Sequence, residues 1–214
     1  MIDDNINHEY IIRYLRDLLP KRSGVTGDME KYAAENSVPI SQPETMKLLE
    51  VLIHLAGVKK VLEIGCAIGY SSICMVSAGC SCVDTIEISD EMFEIASDNI
   101  NKAGFGDMIH IYKGDARDIL PNLNKEYDMI FIDAAKGQYN EFFSHCMRML
   151  KHGGILVSDN VLYRGMTATD ELMQHRKITI IRRLRAYLDM LSSSKELETS
   201  VLPVGDGVAI SYKY

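Results

Sequence analysis

Apolar residues recur at helical spacing through the first part of the chain. A helical stripe runs from His8 to Leu19 and ends at a proline, and a second, short helix is expected over Asp28 to Glu35. A third stripe follows Pro43, a favourable first-turn residue, and continues to Gly57, a residue typical of helix ends. The pattern predicts a helical cap over residues 1–57.

From Lys59 onward, short apolar runs alternate with glycine-containing turns and helical stretches. Such alternation predicts an α/β fold with a mostly parallel sheet and helices on both faces. One connecting helix should begin after Ser89 as N-cap and end at Gly104. We expect strands at Val61–Ile64, Val83–Ile86, Met108–Ile111, Tyr127–Ile132 and Ile155–Ser158.

The last part of the chain has a different pattern. A long helical region is expected from about Glu171 to Leu191. Two strand-like segments follow, Glu198–Leu202 and Val208–Tyr212, with the turn sequence Gly205-Asp206-Gly207 between them. This arrangement predicts an antiparallel hairpin.

Size and composition fit one globular domain, in which the helical cap precedes a core over residues 58–214. The chain has 214 residues, of which 47% are apolar and 25% charged. A net charge of −7 argues against a general nucleic-acid coat but leaves room for a local basic face. The acidic residues 1–5 lack signal-peptide features, no apolar run is long enough to span a bilayer, and the five cysteines are odd in number. We therefore expect a cytoplasmic enzyme with reduced thiols and no membrane partner.

Polar side chains follow two of the predicted strands. Asp133 comes directly after Met129–Ile132, and Asp159 and Asn160 come directly after Gly154–Ser158. Ligands of open α/β sheets bind outside the carboxyl ends of the strands, so these side chains should meet there. Two carboxylates and an amide oxygen suit Mg²⁺, and Mn²⁺ or Ca²⁺ would accept the same donors.

A second group of acids surrounds a glycine turn. Glu63 lies in the turn after the first strand, Glu87 ends the second strand, and Gly114-Asp115-Ala116 follows the third. The turn has the spacing G-x-x-x-G, which differs from the G-x-G-x-x-G of dinucleotide sites. These acids suit a ligand with an ammonium group, ribose hydroxyls for Glu87 and an adenine amino group for Asp115, but no phosphate. That ligand is S-adenosylmethionine.

These motifs together resemble a known family. The segments E-I-G-x-x-x-G-Y-S from Glu63, F-I-D-A-A-K-x-x-Y around Asp133 and S-D-N around Asp159 are similar to those of the metal-dependent class I O-methyltransferases, the catechol and caffeoyl-CoA group. The resemblance runs from about Val38 to the end of the chain. It implies a Rossmann-like sheet of seven strands, one of them antiparallel, and a homodimer.

The resemblance also implies roles for individual residues. Lys136 would lie beside the substrate hydroxyl, where it could act as a base or only as a positioning group, and Asp133 would share in catalysis. The metal would be held by Asp133, Asp159 and Asn160. Cofactor contacts are implied for Val38, Glu63, Gly65, Ser71, Glu87, Ala116 and Asp133.

The chemistry implied is methyl transfer to a hydroxyl that a metal ion has made acidic. The acceptor should offer two adjacent oxygens, as a catechol does, and as 5-hydroxyuridine does through its hydroxyl and neighbouring carbonyl. The chain contains no tryptophan, whereas tryptophans flank the catechol ring in the mammalian enzyme of the family.

Basic residues give a hint about the acceptor. His175–Lys177 and Arg182–Arg185 place several basic side chains in one helical region, and Arg164 follows the metal pair. Ordinary exposed helix charges explain this equally well. The chain nevertheless most resembles bacterial tRNA 5-hydroxyuridine methyltransferases, which make 5-methoxyuridine at the wobble position.

That resemblance predicts the tRNA anticodon stem-loop as partner, with Arg164, Arg182 and Arg183 as substrate contacts. A small catechol-like phenol is the alternative acceptor. A binding protein that keeps the fold without catalysis is an alternative of another class.

Overall fold

The computed structural model describes residues 6–214, so the acidic segment 1–5 lies outside the described residues. The helices are α1 (Glu9–Asp17), α2 (Gly24–Asn36), α3 (Pro43–Ala56), α4 (Tyr70–Ser77), α5 (Asp90–Ala103), α6 (Ala116–Ile119), α7 (Tyr139–Met149) and α8 (Ile178–Ser193). The strands are β1 (Lys60–Ile64), β2 (Cys82–Glu87), β3 (Ile109–Lys113), β4 (Tyr127–Ile132), β5 (Leu150–Ser158), β6 (Leu197–Leu202) and β7 (Val208–Lys213).

The strands form a seven-stranded mixed sheet in the order β3-β2-β1-β4-β5-β7-β6. Strand β2 is parallel to β1 and β3, and β5 is parallel to β4. Strand β7 is antiparallel to both β5 and β6, which confirms the predicted hairpin. The predicted Rossmann-like α/β fold is therefore confirmed.

The chain divides into two compact units. The first unit comprises residues 19–124. Its core consists of apolar residues of β1 and β2 together with α4, in which every residue from Tyr70 to Val76 is buried. Because α4 is enclosed on all sides, the turn before it is firmly attached to a rigid element. The predicted single domain, with its cap at 1–57, stays a prediction.

The second unit comprises residues 125–214 together with the described residues up to Leu18. Its core is formed by Met129–Ile132 of β4, by Leu156 and Val157 of β5, and by the inward face of α8, which includes Leu184 and Leu191. The fully buried run in β4 is typical of a strand covered on both faces.

Several helix ends lie where the sequence predicted them. Ser89 is the N-cap of α5 and its hydroxyl accepts the backbone N–H of Met92, while Gly57 and Gly104 end α3 and α5 in the left-handed conformation. Ser89 suits the start of a helix because its short hydroxyl side chain satisfies a free backbone N–H. The two glycines suit helix ends because glycine adopts positive φ without strain.

Three predicted boundaries were wrong by four residues or more. Helix α2 begins at Gly24 rather than Asp28, and β5 begins at Leu150 rather than Ile155. Helix α8 begins at Ile178 rather than Glu171, preceded by a 3-10 turn at His175–Lys177. The spacing of apolar residues did not distinguish the turns that precede residue 175 from the helix that follows.

Two expectations from composition can be compared with the structure. No helix within residues 6–214 is long and apolar enough to cross a membrane. All five cysteines are free, and all except Cys82 are buried.

Candidate active site

The predicted metal ligands follow two paired strands. Ile132, the last residue of β4, pairs with Ser158, the last residue of β5, so Asp133 and Asp159 follow neighbouring strand ends. The backbone N–H of Asp159 also donates to the carbonyl oxygen of Ile132 at 2.9 Å. The structure therefore brings these two carboxylates together, as parallel strand pairing requires.

Asp159 is a buried carboxylate with one unsatisfied oxygen. Its side chain is almost fully enclosed, with 1% of the residue exposed. Oδ1 accepts the backbone N–H of Asn160 at 2.7 Å, whereas Oδ2 has no hydrogen-bond partner in the described structure. Burial raises the pKa of Asp159 well above its usual value, and the nearby charge of Asp133 raises it further. An ionised pair here requires a cation.

The donor set at this point fits a hard divalent cation. Asn160, the third predicted ligand, is half-buried and adopts the left-handed conformation with φ of 56°. Within residues 6–214, no group of three His, Cys, Asp or Glu side chains is placed to hold a metal. The candidate site therefore depends on two carboxylates and the Asn160 amide, an oxygen-only set of the kind Mg²⁺ accepts while keeping open positions.

Lys136 lies close to this carboxylate pair. It begins a 3-10 turn after β4, and its positive charge acts on Asp159 against the effect of Asp133. Its ammonium group also lies over the ring of Tyr163, 5.9 Å from the centroid, and Lys177 lies over the same ring at 5.8 Å. The predicted proximity of Lys136 to the metal ligands is thus present in the structure, while its role as a base stays a prediction.

The loop after the metal pair is fixed by the β6–β7 turn. The backbone N–H groups of Val161 and Leu162 donate to the carbonyl oxygens of Gly207 and Asp206 at 2.9 and 3.0 Å. The carboxylate of Asp206 accepts the backbone N–H of Arg164. This loop is therefore held by backbone contacts, although Tyr163 and Arg164 both have positive φ.

The basic residues near α8 divide into two groups. Arg183 donates to the carbonyl oxygen of Gly137 at 2.8 Å, and Arg185 donates to that of Thr167 at 2.9 Å and pairs with Asp170 at 2.7 Å. These two guanidinium groups support loops of the protein. Arg164, Arg176 and Arg182 are exposed, as is Arg183 despite its contact with Gly137.

The glycine turn of the first unit is built around Glu63. This carboxylate is fully buried and accepts hydroxyl groups from Ser71, Ser72 and, at 2.6 Å, Thr85. Gly65 has φ of 104°, and its N–H donates to the carbonyl oxygen of Ile86 at 3.1 Å. Glu63 was predicted in the turn but lies in β1, from where it ties the start of α4 to β2. A contact of Glu63 or Ser71 with a cofactor stays a prediction.

The carboxylate of Glu87 forms hydrogen bonds with the same turn. Its Oε2 accepts the backbone N–H of Ala67 at 2.7 Å, and its Oε1 accepts that of Ser89 at 2.8 Å. Each carboxylate oxygen can accept a further hydrogen bond, which leaves capacity for ribose hydroxyls. Glu87 therefore contacts the turn itself, and Glu63 contacts the first residues of the helix that follows it.

The remaining predicted cofactor residues are spread over the first unit. Asp115 is the N-cap of α6 and pairs with Arg117 at 2.6 Å; hydrogen bonds from Arg117 lower the pKa of Asp115. Ala116 is buried behind it. Val38 is half-buried, follows the left-handed Ser37, and its N–H donates to the carbonyl oxygen of Ala33 at 3.0 Å.

Sequence reasoning missed several residues of these sites. The hydroxyls of Ser72 and Thr85 on Glu63 were not anticipated, although parallel pairing places Thr85 opposite Glu63. Tyr139, which occurs in the D-A-A-K-x-x-Y motif, was given no role. Its hydroxyl donates to the backbone oxygen of Asp159 at 2.9 Å.

A charged network also joins the segment before α2 to the start of α4. Arg22 pairs with Glu50 at 2.5 Å and Glu30 at 3.6 Å, and it lies over the Tyr70 ring at 5.6 Å. The hydroxyl of Tyr70 donates to Glu30 at 2.5 Å. Arg22 is therefore a half-buried residue that links three helices of the first unit.

Known proteins share both the sequence and the fold. The O-methyltransferase family matches residues 23–214. A catechol O-methyltransferase of Niastella koreensis is 32% identical over 216 residues, covering 95% of this chain and 96% of the relative. Tricin synthase 2 of Oryza sativa subsp. japonica is 29% identical and covers 95% and 73%.

Two solved structures align over nearly the whole chain. A Staphylococcus aureus protein, provisionally assigned as a caffeoyl-CoA O-methyltransferase, has a TM-score of 0.90 and 35% identity, covering 96% of this chain and 100% of that one. TomG, an O-methyltransferase of Streptomyces achromogenes solved with SAM, has a TM-score of 0.83 and 25% identity, covering 100% and 99%. The chain belongs to the O-methyltransferase family.

Proposed function

We propose that this enzyme transfers the methyl group of S-adenosylmethionine to a hydroxyl whose proton is made acidic by Mg²⁺ held at Asp133, Asp159 and Asn160. The observation that carries the proposal is the buried Oδ2 of Asp159, which has no protein partner and lies near a second carboxylate. Such an arrangement is costly unless a cation compensates it.

The cofactor half of the proposal rests on the glycine turn. Glu87 accepts two backbone N–H groups of the turn region and keeps lone pairs for ribose hydroxyls. Asp115, at the start of α6, would accept the adenine amino group. No basic side chain is among the residues predicted to contact the cofactor, which suits a ligand without phosphates. The SAM complex of TomG, a relative of the same family, is consistent with this ligand.

The reaction is an in-line displacement at the methyl carbon. A new bond forms between the acceptor oxygen and that carbon, the carbon–sulfur bond breaks, and its electron pair returns to sulfur. Mg²⁺, when bound, stabilises negative charge on the acceptor oxygen. The amine nitrogen of Lys136, which lies near the carboxylate pair, would receive the hydroxyl proton. Asp133 and Asp159 would hold the cation, and positioning of the acceptor oxygen relative to the methyl carbon contributes strongly to rate.

The acceptor we propose is 5-hydroxyuridine at the wobble position of tRNA, with 5-methoxyuridine as product. Support comes from the exposed cations that follow the metal pair and precede or begin α8: Arg164, Arg176 and Arg182. Exposed arginines on a chain with a net charge of −7 suit contact with RNA phosphates. Arg183 contributes less to this argument because its guanidinium supports the backbone at Gly137.

A small phenol with two adjacent oxygens is the second candidate. The catechol O-methyltransferase relative, at 32% identity, favours it. Salt separates the two acceptors: phosphate contacts should make RNA binding weaken steeply as salt rises, whereas turnover of a neutral catechol should change little. Arg182→Glu should weaken RNA binding, and Lys195→Glu, an exposed charge reversal just before β6, is the matched control.

The deciding experiment is nucleoside mass spectrometry of tRNA from cells that lack this protein. We expect 5-methoxyuridine to disappear and 5-hydroxyuridine to accumulate, with recovery by the wild-type gene but not by Asp159→Asn. An unchanged nucleoside profile would refute the tRNA acceptor and favour the phenol.

A further inference from the structure

Tyr139 connects the two strand ends that carry the proposed metal ligands. It is the first residue of α7 and is 1% exposed. Its hydroxyl donates to the backbone oxygen of Asp159 at 2.9 Å, and the backbone oxygen of Ile132, the residue before Asp133, lies 3.5 Å from it. One buried hydroxyl therefore contacts the backbone next to both carboxylates.

The direction of this hydrogen bond matters. A tyrosine has a single O–H to donate, and here it goes to the main chain of Asp159 rather than to its carboxylate. The Oδ2 atom of Asp159 consequently keeps no protein partner.

The ring of Tyr139 is fixed by its neighbours. It packs edge-to-face on Tyr187, with centroids 5.4 Å apart and an interplanar angle of 78°. The Tyr187 hydroxyl in turn forms a hydrogen bond with the Ser158 hydroxyl at 2.7 Å. Both tyrosines are fully buried, but only Tyr139 reaches the main chain of a proposed ligand residue.

Asp159 is held by several hydrogen bonds that together set the direction of its side chain. Its N–H donates to Ile132, its Oδ1 accepts the N–H of Asn160, and its backbone oxygen accepts Tyr139. Groups behind a metal ligand orient it and are needed for full metal affinity. Loss of the Tyr139 hydroxyl would allow the peptide of Asp159 to rotate and would misdirect Oδ2.

We infer that Tyr139 is a positioning residue of the metal site, which fixes the backbone of Asp159 so that its unpartnered carboxylate oxygen is directed at the cation. This inference rests on the metal site of the proposed function. It assigns no contact between Tyr139 and the cation or the substrate.

The test compares Tyr139→Phe with Tyr187→Phe in the full-length protein. Each variant keeps a buried ring and loses one hydroxyl that has a hydrogen-bond partner, so both should fold and lose similar stability in urea. Binding of Mn²⁺ is measured by electron paramagnetic resonance of the free ion, without cofactor or acceptor. We expect the Kd for Mn²⁺ to rise about tenfold in Tyr139→Phe and to stay at the wild-type value in Tyr187→Phe.

The outcomes separate this inference from the proposed site. Equal Mn²⁺ affinity in wild type and Tyr139→Phe overturns the positioning role while leaving the metal site intact. Equal weakening in both tyrosine variants also overturns it, because general loosening of the core would then explain the effect. Absence of Mn²⁺ binding in the wild type, or unchanged binding in Asp159→Asn, overturns the metal site and the inference with it.

Discussion

Replacement of Arg22 by alanine should destabilise the first unit. The guanidinium group of Arg22 pairs with Glu50 at 2.5 Å and with Glu30 at 3.6 Å, and it lies 5.6 Å from the centroid of the Tyr70 ring. The substitution would leave two acidic side chains without this cation in a partly enclosed position. It would also remove a link between the segment before α2 and the first residue of α4.

The size of the effect follows from the burial of the pair. Breaking a buried ion pair costs about 3–5 kcal/mol, whereas an exposed pair contributes about 0–1 kcal/mol. The side chains of Arg22 and Glu50 are 21% and 13% exposed, and Lys47 also pairs with Glu50. The expected loss is therefore intermediate, about 2 kcal/mol, and the contact with Tyr70 adds about 0.5–1 kcal/mol.

Urea unfolding of Arg22→Ala, followed by circular dichroism, measures this loss directly. A total of about 2–3 kcal/mol corresponds to a fall in Tm of roughly 5–10 °C for a chain of this size. Lys21→Ala, a change at an exposed neighbour, is the control, and Arg22→Lys should recover part of the loss. If Arg22→Ala is as stable as Lys21→Ala, the network does not stabilise the unit and the reasoning fails.

Three further predictions concern pH, the loop after β5 and the proton acceptor. Burial raises the pKa of Glu50, but donors from two neighbouring cations outweigh it and hold the pKa below its usual value. The stabilisation by Glu50 is therefore full above about pH 4.3 and is lost as pH falls through the lower folded-state pKa. In Glu50→Gln, the urea midpoint of unfolding should consequently fall less steeply between neutral and acid pH than in the wild type. Gly207→Ala should cost at least about 2 kcal/mol in urea unfolding, because φ is +90° and the new Cβ would lie 2.3 Å from Leu162; wild-type stability would contradict this. If Lys136 accepts the proton, Lys136→Ala should lower kcat, and kcat should rise again at high pH. An unchanged kcat would exclude that role.

The sequence predicted the framework well because strands and their ends have strong local signals. Apolar runs bounded by turns located β1 to β7, and parallel pairing then required that acids after adjacent strands meet, as Asp133 and Asp159 do. The predicted N-cap Ser89 and the helix end at Gly104 were confirmed for similar reasons, since each depends on a few neighbouring residues.

Contacts between distant residues could not be read from the sequence. Arg22, for which no role was predicted, pairs with acids of α2 and α3. Arg183, predicted as a substrate contact, donates to the main chain at Gly137, and nothing in the sequence indicated that contact. The spacing of apolar residues could not indicate the contact made by Tyr139, because its hydroxyl donates to a carbonyl oxygen twenty positions along the chain. The positive φ of Tyr163 likewise arises in a loop fixed by a turn late in the chain.

The most direct test of the account is methyl transfer to 5-hydroxyuridine in tRNA by chelator-treated enzyme, with and without added Mg²⁺, in the wild type and in Asp159→Asn. Binding of S-adenosylhomocysteine, measured in parallel, verifies that the variant keeps the cofactor half of the site. We predict that Mg²⁺ restores transfer to the wild type and that the variant binds the cofactor product but stays inactive with Mg²⁺. Full transfer by the metal-free wild type, or restoration of the variant by Mg²⁺, would contradict the claim that these carboxylates hold the activating cation.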